Sequence, residues 1–194
     1  LGSSRVPVAV VANFPDGGAD VGKAMAEIEA AVADGADEID VVWPWAAWLD
    51  GNRQAAIDLL TGSRTAAGRR KLKVILETGK LKEASEIDAA SRAAIDAGAD
   101  FIKTSTGKVD INATPEAAEI MLHAIADTGS NCGFKAAGGI RTVANTDIYF
   151  QIADRIMGAE WATPSHFRIG ASGLLDDIIA TLDGKAPQPG TSGY

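Results

Sequence analysis

Short apolar runs rich in β-branched residues alternate along the chain with longer stretches in which apolar residues recur every three or four positions. The runs cover residues 8–12, 38–42, 72–76, 101–104, 133–135 and 167–170. Each has the length and composition of a buried strand. Between them, Val21, Ala24, Met25, Ile28, Ala31 and Val32 form one stripe of helical period. Ile120, Met121, Ala124 and Ile125 form a second, and Leu174, Leu175, Ile178, Ile179 and Leu182 a third. A stripe of that period buries one face of a helix. Strands that alternate with helices predict βαβ units and a parallel sheet.

A weak internal repeat gives the spacing of those units. Gly35-Ala36-Asp37, Gly98-Ala99-Asp100 and Gly158-Ala159-Glu160 each follow a helical stretch and precede a strand, at separations of 63 and 60 residues. Each glycine stands where a left-handed helix C-cap is expected. Two units per interval gives roughly 31 residues per unit, the repeat of a (β/α)8 barrel. The fold expected is therefore α/β, of (β/α)8 TIM-barrel type, with six consecutive units present. The first two strands of such a barrel are expected to be missing, with the true beginning of the protein upstream of Leu1. One domain is expected over residues 1–182. The Gly- and Pro-rich segment 183–194 is expected to be a flexible tail ending in Tyr194.

Composition narrows the function. The chain of 194 residues is 46% hydrophobic and carries a formal net charge of -8. An acidic surface argues against nucleic acid or an anionic membrane as partner. The apolar run at residues 6–12 is too short to span a bilayer, so a cytoplasmic protein is expected. Cys132 is the only cysteine and there are two histidines, which excludes an internal disulfide and gives no zinc cluster. An anionic ligand would then need a local pocket of positive potential.

Charged residues inside strands that otherwise read as buried require a reason, because burying an unpaired charge is costly. Asp40, Lys103 and Lys135 stand out in this way. One explanation is an ion-pair network in the barrel interior that only fixes geometry. The other is chemical. Strand C-termini form the active face of a parallel barrel, and two lysines lie near such ends, one βα unit apart. Neighbouring ammonium groups and partial burial both favour the neutral amine that attacks a carbonyl, and Asp40 can relay protons. Gly138-Gly139-Ile140-Arg141 and Gly170-Ala171-Ser172-Gly173 follow the last two strands. Glycines at helix N-termini there suit a phosphate cradle.

With these residues in place, a resemblance covers positions 8–182. Phe101-Ile-Lys-Thr-Ser-Thr-Gly-Lys108 with Asn112-Ala-Thr-Pro115, and Gly133-Phe-Lys-Ala-Ala-Gly-Gly139, resemble the lysine segments of the deoxyribose-phosphate aldolase family. Asn13-Phe-Pro15, the segment 35–42, Lys73-Val-Ile-Leu-Glu-Thr-Gly79 and Arg168-Ile-Gly-Ala-Ser172 match its other strand ends in order. The resemblance implies a class I aldolase that cleaves 2-deoxy-D-ribose 5-phosphate reversibly to D-glyceraldehyde 3-phosphate and acetaldehyde, without metal or organic cofactor. It implies that Lys103 forms the imine, Lys135 tunes it and Asp40 shuttles protons. Gly107, Lys108, Gly138, Gly139, Gly170 and Ser172 would hold the substrate or its phosphate, and Tyr194 would act from the tail. Ala136 and Gly173 depart from the family's proline and serine. Trp43, Trp45 and Trp48 make one loop heavy, by packing or by a homodimer contact. Two alternatives stay open: an aldolase for another sugar phosphate, and an inactive barrel fragment that binds a phosphorylated ligand or a partner.

Overall fold

The computed structural model describes residues 6–185 and sets six strands side by side in chain order, every neighbouring pair parallel. The elements are β1 (Ala9–Ala12), α1 (Val21–Ala33), β2 (Glu38–Val42), α2 (Trp45–Leu49), α3 (Arg53–Ala67), β3 (Lys71–Ile75), α4 (Thr78–Leu81) and α5 (Ala84–Asp96). They continue with β4 (Phe101–Lys103), α6 (Pro115–Thr128), β5 (Gly133–Ala137), α7 (Val143–Met157), β6 (Phe167–Gly170) and α8 (Leu174–Leu182). The expected strands are all present, two of them with the expected ends and the rest displaced by at most two residues. The short helices α2 and α4 are additions that the apolar period does not announce.

Period-two alternation divides each strand between two faces. Ile39, Val41, Leu72, Val74, Ile102 and Phe134 point to one face, where helices cover them completely. The opposite face carries Glu38, Asp40, Lys73, Phe101, Lys103, Lys135 and Arg168 in register, with Asp40 paired to Lys73, Lys103 to Lys135 and Lys135 to Arg168. That face is concave. Neighbouring strands lie about 4.8 Å apart, so a flat sheet would separate β2 from β6 by roughly 19 Å. Yet Arg168 of β6 reaches Glu38 of β2 at 3.4 Å, and Lys135 of β5 reaches Asp40 at 2.6 Å. The sheet is curled into a barrel arc whose charged side chains meet across the hollow.

Phe101 lies on the concave face, with Lys71 and Arg168 over its ring. Gly133 makes room for it, since a Cβ there would stand 2.4 Å from the Phe101 ring. Helix α6 illustrates how sequence sets an element's bounds. Thr114 caps it by accepting from the Ala117 N–H, Pro115 occupies its first turn, and left-handed Gly129 ends it.

One expectation needs correction. The apolar stripe of α8 does not face the core: Leu174 is buried, but Leu175, Ile178, Ile179 and Leu182 are exposed, Leu182 at 81%. Among the described residues nothing covers that face of α8, and at the other end of the sheet Val8 and Val11 are likewise exposed. Of the tryptophans, Trp43 and Trp48 are buried and pack edge to face at 4.9 Å, so internal packing accounts for these two. Among the described residues no helix is long and apolar enough to cross a membrane.

Candidate active site

Asp40 is the hub of the concave face. Its Oδ2 accepts from Lys103 Nζ at 2.9 Å and from Lys135 Nζ at 2.6 Å, and its Oδ1 accepts from Lys73 Nζ at 2.6 Å. Four consecutive strands thus supply one carboxylate and three amines. Burial alone would raise the Asp40 carboxyl, but the charges of Lys103, Lys135 and Lys73 hold it far below the usual carboxylate range. Asp40 is therefore held as an anion that accepts all three bonds. Lys135 is instead shifted towards its neutral form. Burial pushes its amine down to about 8, against the opposing pull of Asp40 and with help from Lys103.

Lys73 and Glu38 complete the cluster. Lys73 is buried at 1% exposure, bonded to Glu38 Oε2 at 2.8 Å as well as to Asp40. Its sequence signal is that of Lys103, a charge flanked by apolar strand residues. What the sequence lacks is the register that puts it beside Asp40.

The chain leaving β4 is tied down by side chains. Ser105 Oγ donates to Asn112 Oδ1 at 2.7 Å and accepts from the Gly107 N–H at 3.0 Å, while Asn112 Nδ2 donates to the Val109 carbonyl. Glu77 adopts a left-handed backbone at φ 57°, unusual for a residue with a side chain. Its buried carboxylate accepts from the N–H and hydroxyl of Thr106, and the Thr106 hydroxyl accepts from the Lys108 N–H. Thus Glu77 and Asn112 shape the loop that carries Gly107 and Lys108, and neither role is visible before the fold is known.

The glycines divide into two kinds. Gly138 has φ +89°, and a Cβ on it would stand 2.7 Å from the Asn112 side chain, so the loop from β4 seats directly on it. Gly139 has φ +79° with open space around it, as an approach to a ligand requires. Gly170 is small for another reason: a Cβ there would meet Ala137 at 2.9 Å and Lys135 Cε at 3.1 Å. It gives passage to the Lys135 side chain. A cleft of about 290 Å³ opens beside Asn112, Gly138, Gly139 and Tyr149. Lys108 and Ser172 are exposed, in the segments that follow β4 and β6. Tyr194 lies outside the described residues.

A parallel barrel arc whose strands bring several amines onto one carboxylate, beside glycine turns, defines a class of enzyme that works on carbonyl compounds through lysine. The DeoC/LacD family aldolase model matches residues 3–175, and the chain belongs to that family. A curated deoxyribose-phosphate aldolase from Agrobacterium fabrum (strain C58) is 52% identical over 190 residues, covering 97% of this chain and 73% of that protein. A solved chain from Coccidioides immitis, provisionally assigned as the same enzyme, superposes with a TM-score of 0.83 at 31% identity, covering 94% of this chain and 67% of its own. One from Toxoplasma gondii ME49 gives a TM-score of 0.86 at 24% identity, over 93% and 72%, and speaks for the fold alone.

Proposed function

We propose that this chain cleaves 2-deoxy-D-ribose 5-phosphate reversibly to D-glyceraldehyde 3-phosphate and acetaldehyde through an imine on Lys103. The observation that carries the proposal is the sharing of Asp40 Oδ2 by Lys103 and Lys135. The 52% identity to a deoxyribose-phosphate aldolase supports the substrate.

Lys103 is taken as the nucleophile because the segment 101–108 resembles the imine-lysine segment of the family, and it is buried at the end of β4 against Asp40. In its neutral form it adds to the aldehyde carbon of the open-chain sugar, and loss of water gives the imine. A base then takes the proton of the C3 hydroxyl, the C2–C3 bond breaks towards C2, and glyceraldehyde 3-phosphate departs. Protonation of the resulting enamine at C2 and hydrolysis release acetaldehyde and restore the amine. Asp40 relays protons, directly or through a bound water, and the Lys135 ammonium steadies developing oxyanions. Gly107, Lys108, Gly139 and Ser172 receive the phosphate end, Gly138 serves by seating Asn112, and Gly170 serves by admitting Lys135. A homodimer is the proposed assembly. The proposed setting is the cytosol, where a charged sugar phosphate is retained.

The test is acetaldehyde with borohydride, followed by mass mapping of the trapped secondary amine. The expected adduct sits on Lys103, vanishes in Lys103→Leu, and persists in Lys135→Leu with its acid limb moved to higher pH, because a neighbouring positive charge has gone. An adduct on Lys135 would reverse the two roles. No adduct on any lysine would overturn the function.

A further inference from the structure

One carboxylate cannot neutralise three ammonium groups. Lys73 takes Asp40 Oδ1, while Lys103 and Lys135 share Oδ2. Left to itself, the buried Lys73 would draw on the same anion that the reactive amines use. A buried cation needs compensation close by, and here it comes from Glu38. That carboxylate accepts from Lys73 at 2.8 Å and meets Arg168 through its other oxygen at 3.4 Å. Glu38 stands two residues before Asp40 on β2, so it shares the concave face one layer deeper, and is itself buried. The charged groups facing it are Lys73 and its register partner Lys71 from β3, Arg168 from β6 and Asp40 on its own strand. Burial by itself would raise the Glu38 carboxyl, but the hydrogen bond and charge of Lys73, with the charge of Arg168, hold it below its ordinary value. It is an anion throughout the working range.

We infer that Glu38 is a positioning residue: by holding Lys73 it leaves Oδ2 of Asp40 to Lys103 and Lys135, and so sets the protonation of the reactive amines from the layer beneath. The inference rests on Lys103 and Asp40 as the working pair. It touches no substrate. Because the amines share one carboxylate, their titration belongs to the cluster as a whole, and charges one shell away must register in it. Removing an anion favours neutral amines, and removing a cation favours ammonium.

The experiment measures the rate of acetaldehyde–borohydride trapping against pH in the full chain, with folding checked by circular dichroism. Glu38→Gln, which keeps shape and loses charge, is expected to move the acid limb down by roughly 0.5–1 pH unit. Lys73→Met is expected to move it up by a similar amount. The double variant removes one charge of each sign, leaves no unpaired buried ion, and is expected to return close to the parent profile. Arg168→Met lies at a part-exposed position and is expected to give a smaller upward shift, which reads the same coupling should a single buried variant fail to fold. Shifts in one common direction, or lower amplitude with an unmoved limb, would overturn the role of Glu38 while leaving the aldolase reading intact. Absence of any adduct in the parent chain would overturn both.

Discussion

At the scale of residues, the folded state is sensitive to pH through groups whose burial has moved them. Lys135 titrates at about 8 in the fold against 10.5 ordinarily. Between those values the unfolded chain holds a proton that the folded chain has released, so stability rises with pH across that window. Cys132 works against it. Burial pushes its thiol up to about 12 from 9.0, so above pH 9 the folded chain keeps a proton the unfolded chain loses, and stability falls. Lys135 therefore acts unopposed by Cys132 between about pH 8 and 9. The expected difference between the parent and Lys135→Met is a gain on the order of 1–3 kcal/mol for the parent as pH rises through 8 to 10, the Cys132 effect cancelling between them. Urea midpoints measured at each pH check it, and parallel curves would contradict it. Three of the charges that matter were legible from sequence because they interrupt apolar strands. The choice between the two lysines was less so: hydration favours Lys103, whereas the amine pushed down to about 8 is Lys135. Lys73 interrupts its strand in the same way, but only strand register shows that it and Glu38 belong with Asp40.

At the scale of elements, the strands, the long helices and the loop glycines were readable, since apolar period and glycine turns are local properties. Helices α2 and α4, of five and four residues, are too short to show a period. The left-handed Glu77 is equally silent, because any residue can be forced into that conformation when its side chain is held on both sides. The glycine turn after β5 illustrates what sequence cannot apportion. Gly138 and Gly139 look alike on paper, but Gly138 supports Asn112 whereas Gly139 borders open space. Gly138→Ala is thus expected to disturb Ser105 and the loop beyond Lys103 through Asn112. It should lower kcat and raise KM, costing about tenfold or more in kcat/KM. Gly139→Ala is expected to raise KM for the phosphorylated sugar alone, with little effect on 2-deoxy-D-ribose lacking phosphate. Steady-state kinetics on both sugars separate the two, and identical behaviour would contradict the division.

At the scale of the molecule, apolar side chains are exposed where the sheet begins and where its last helix lies: Val8 and Val11 at one end, Leu175, Ile179 and Leu182 at the other. Unpaired strand edges beside apolar patches favour association. The 20.0 kDa chain is expected to elute in light-scattering chromatography at twice that mass or more, and to bind a hydrophobic dye. Ile179→Glu with Leu182→Glu, both on the exposed stripe, is expected to reduce both signals without changing circular dichroism. A monodisperse species of 20.0 kDa that binds no dye would contradict the expectation.

The ion pair between Glu38 and Arg168 joins residues 130 positions apart, and Asp40 meets Lys135 across 95. Helices form from neighbours within microseconds, but contacts of this separation wait for loop closure and for strands added in between. The chemistry is therefore assembled late in the life of a folding chain. During refolding from urea, helical circular dichroism is expected to return first and trapping competence at Lys103 only in the slowest phase. Until β2 to β5 have assembled around Asp40, the molecule would look largely folded to an optical probe and yet be inert, and a mutation that delays that assembly would act on the rate at which active enzyme accumulates before it acted on turnover.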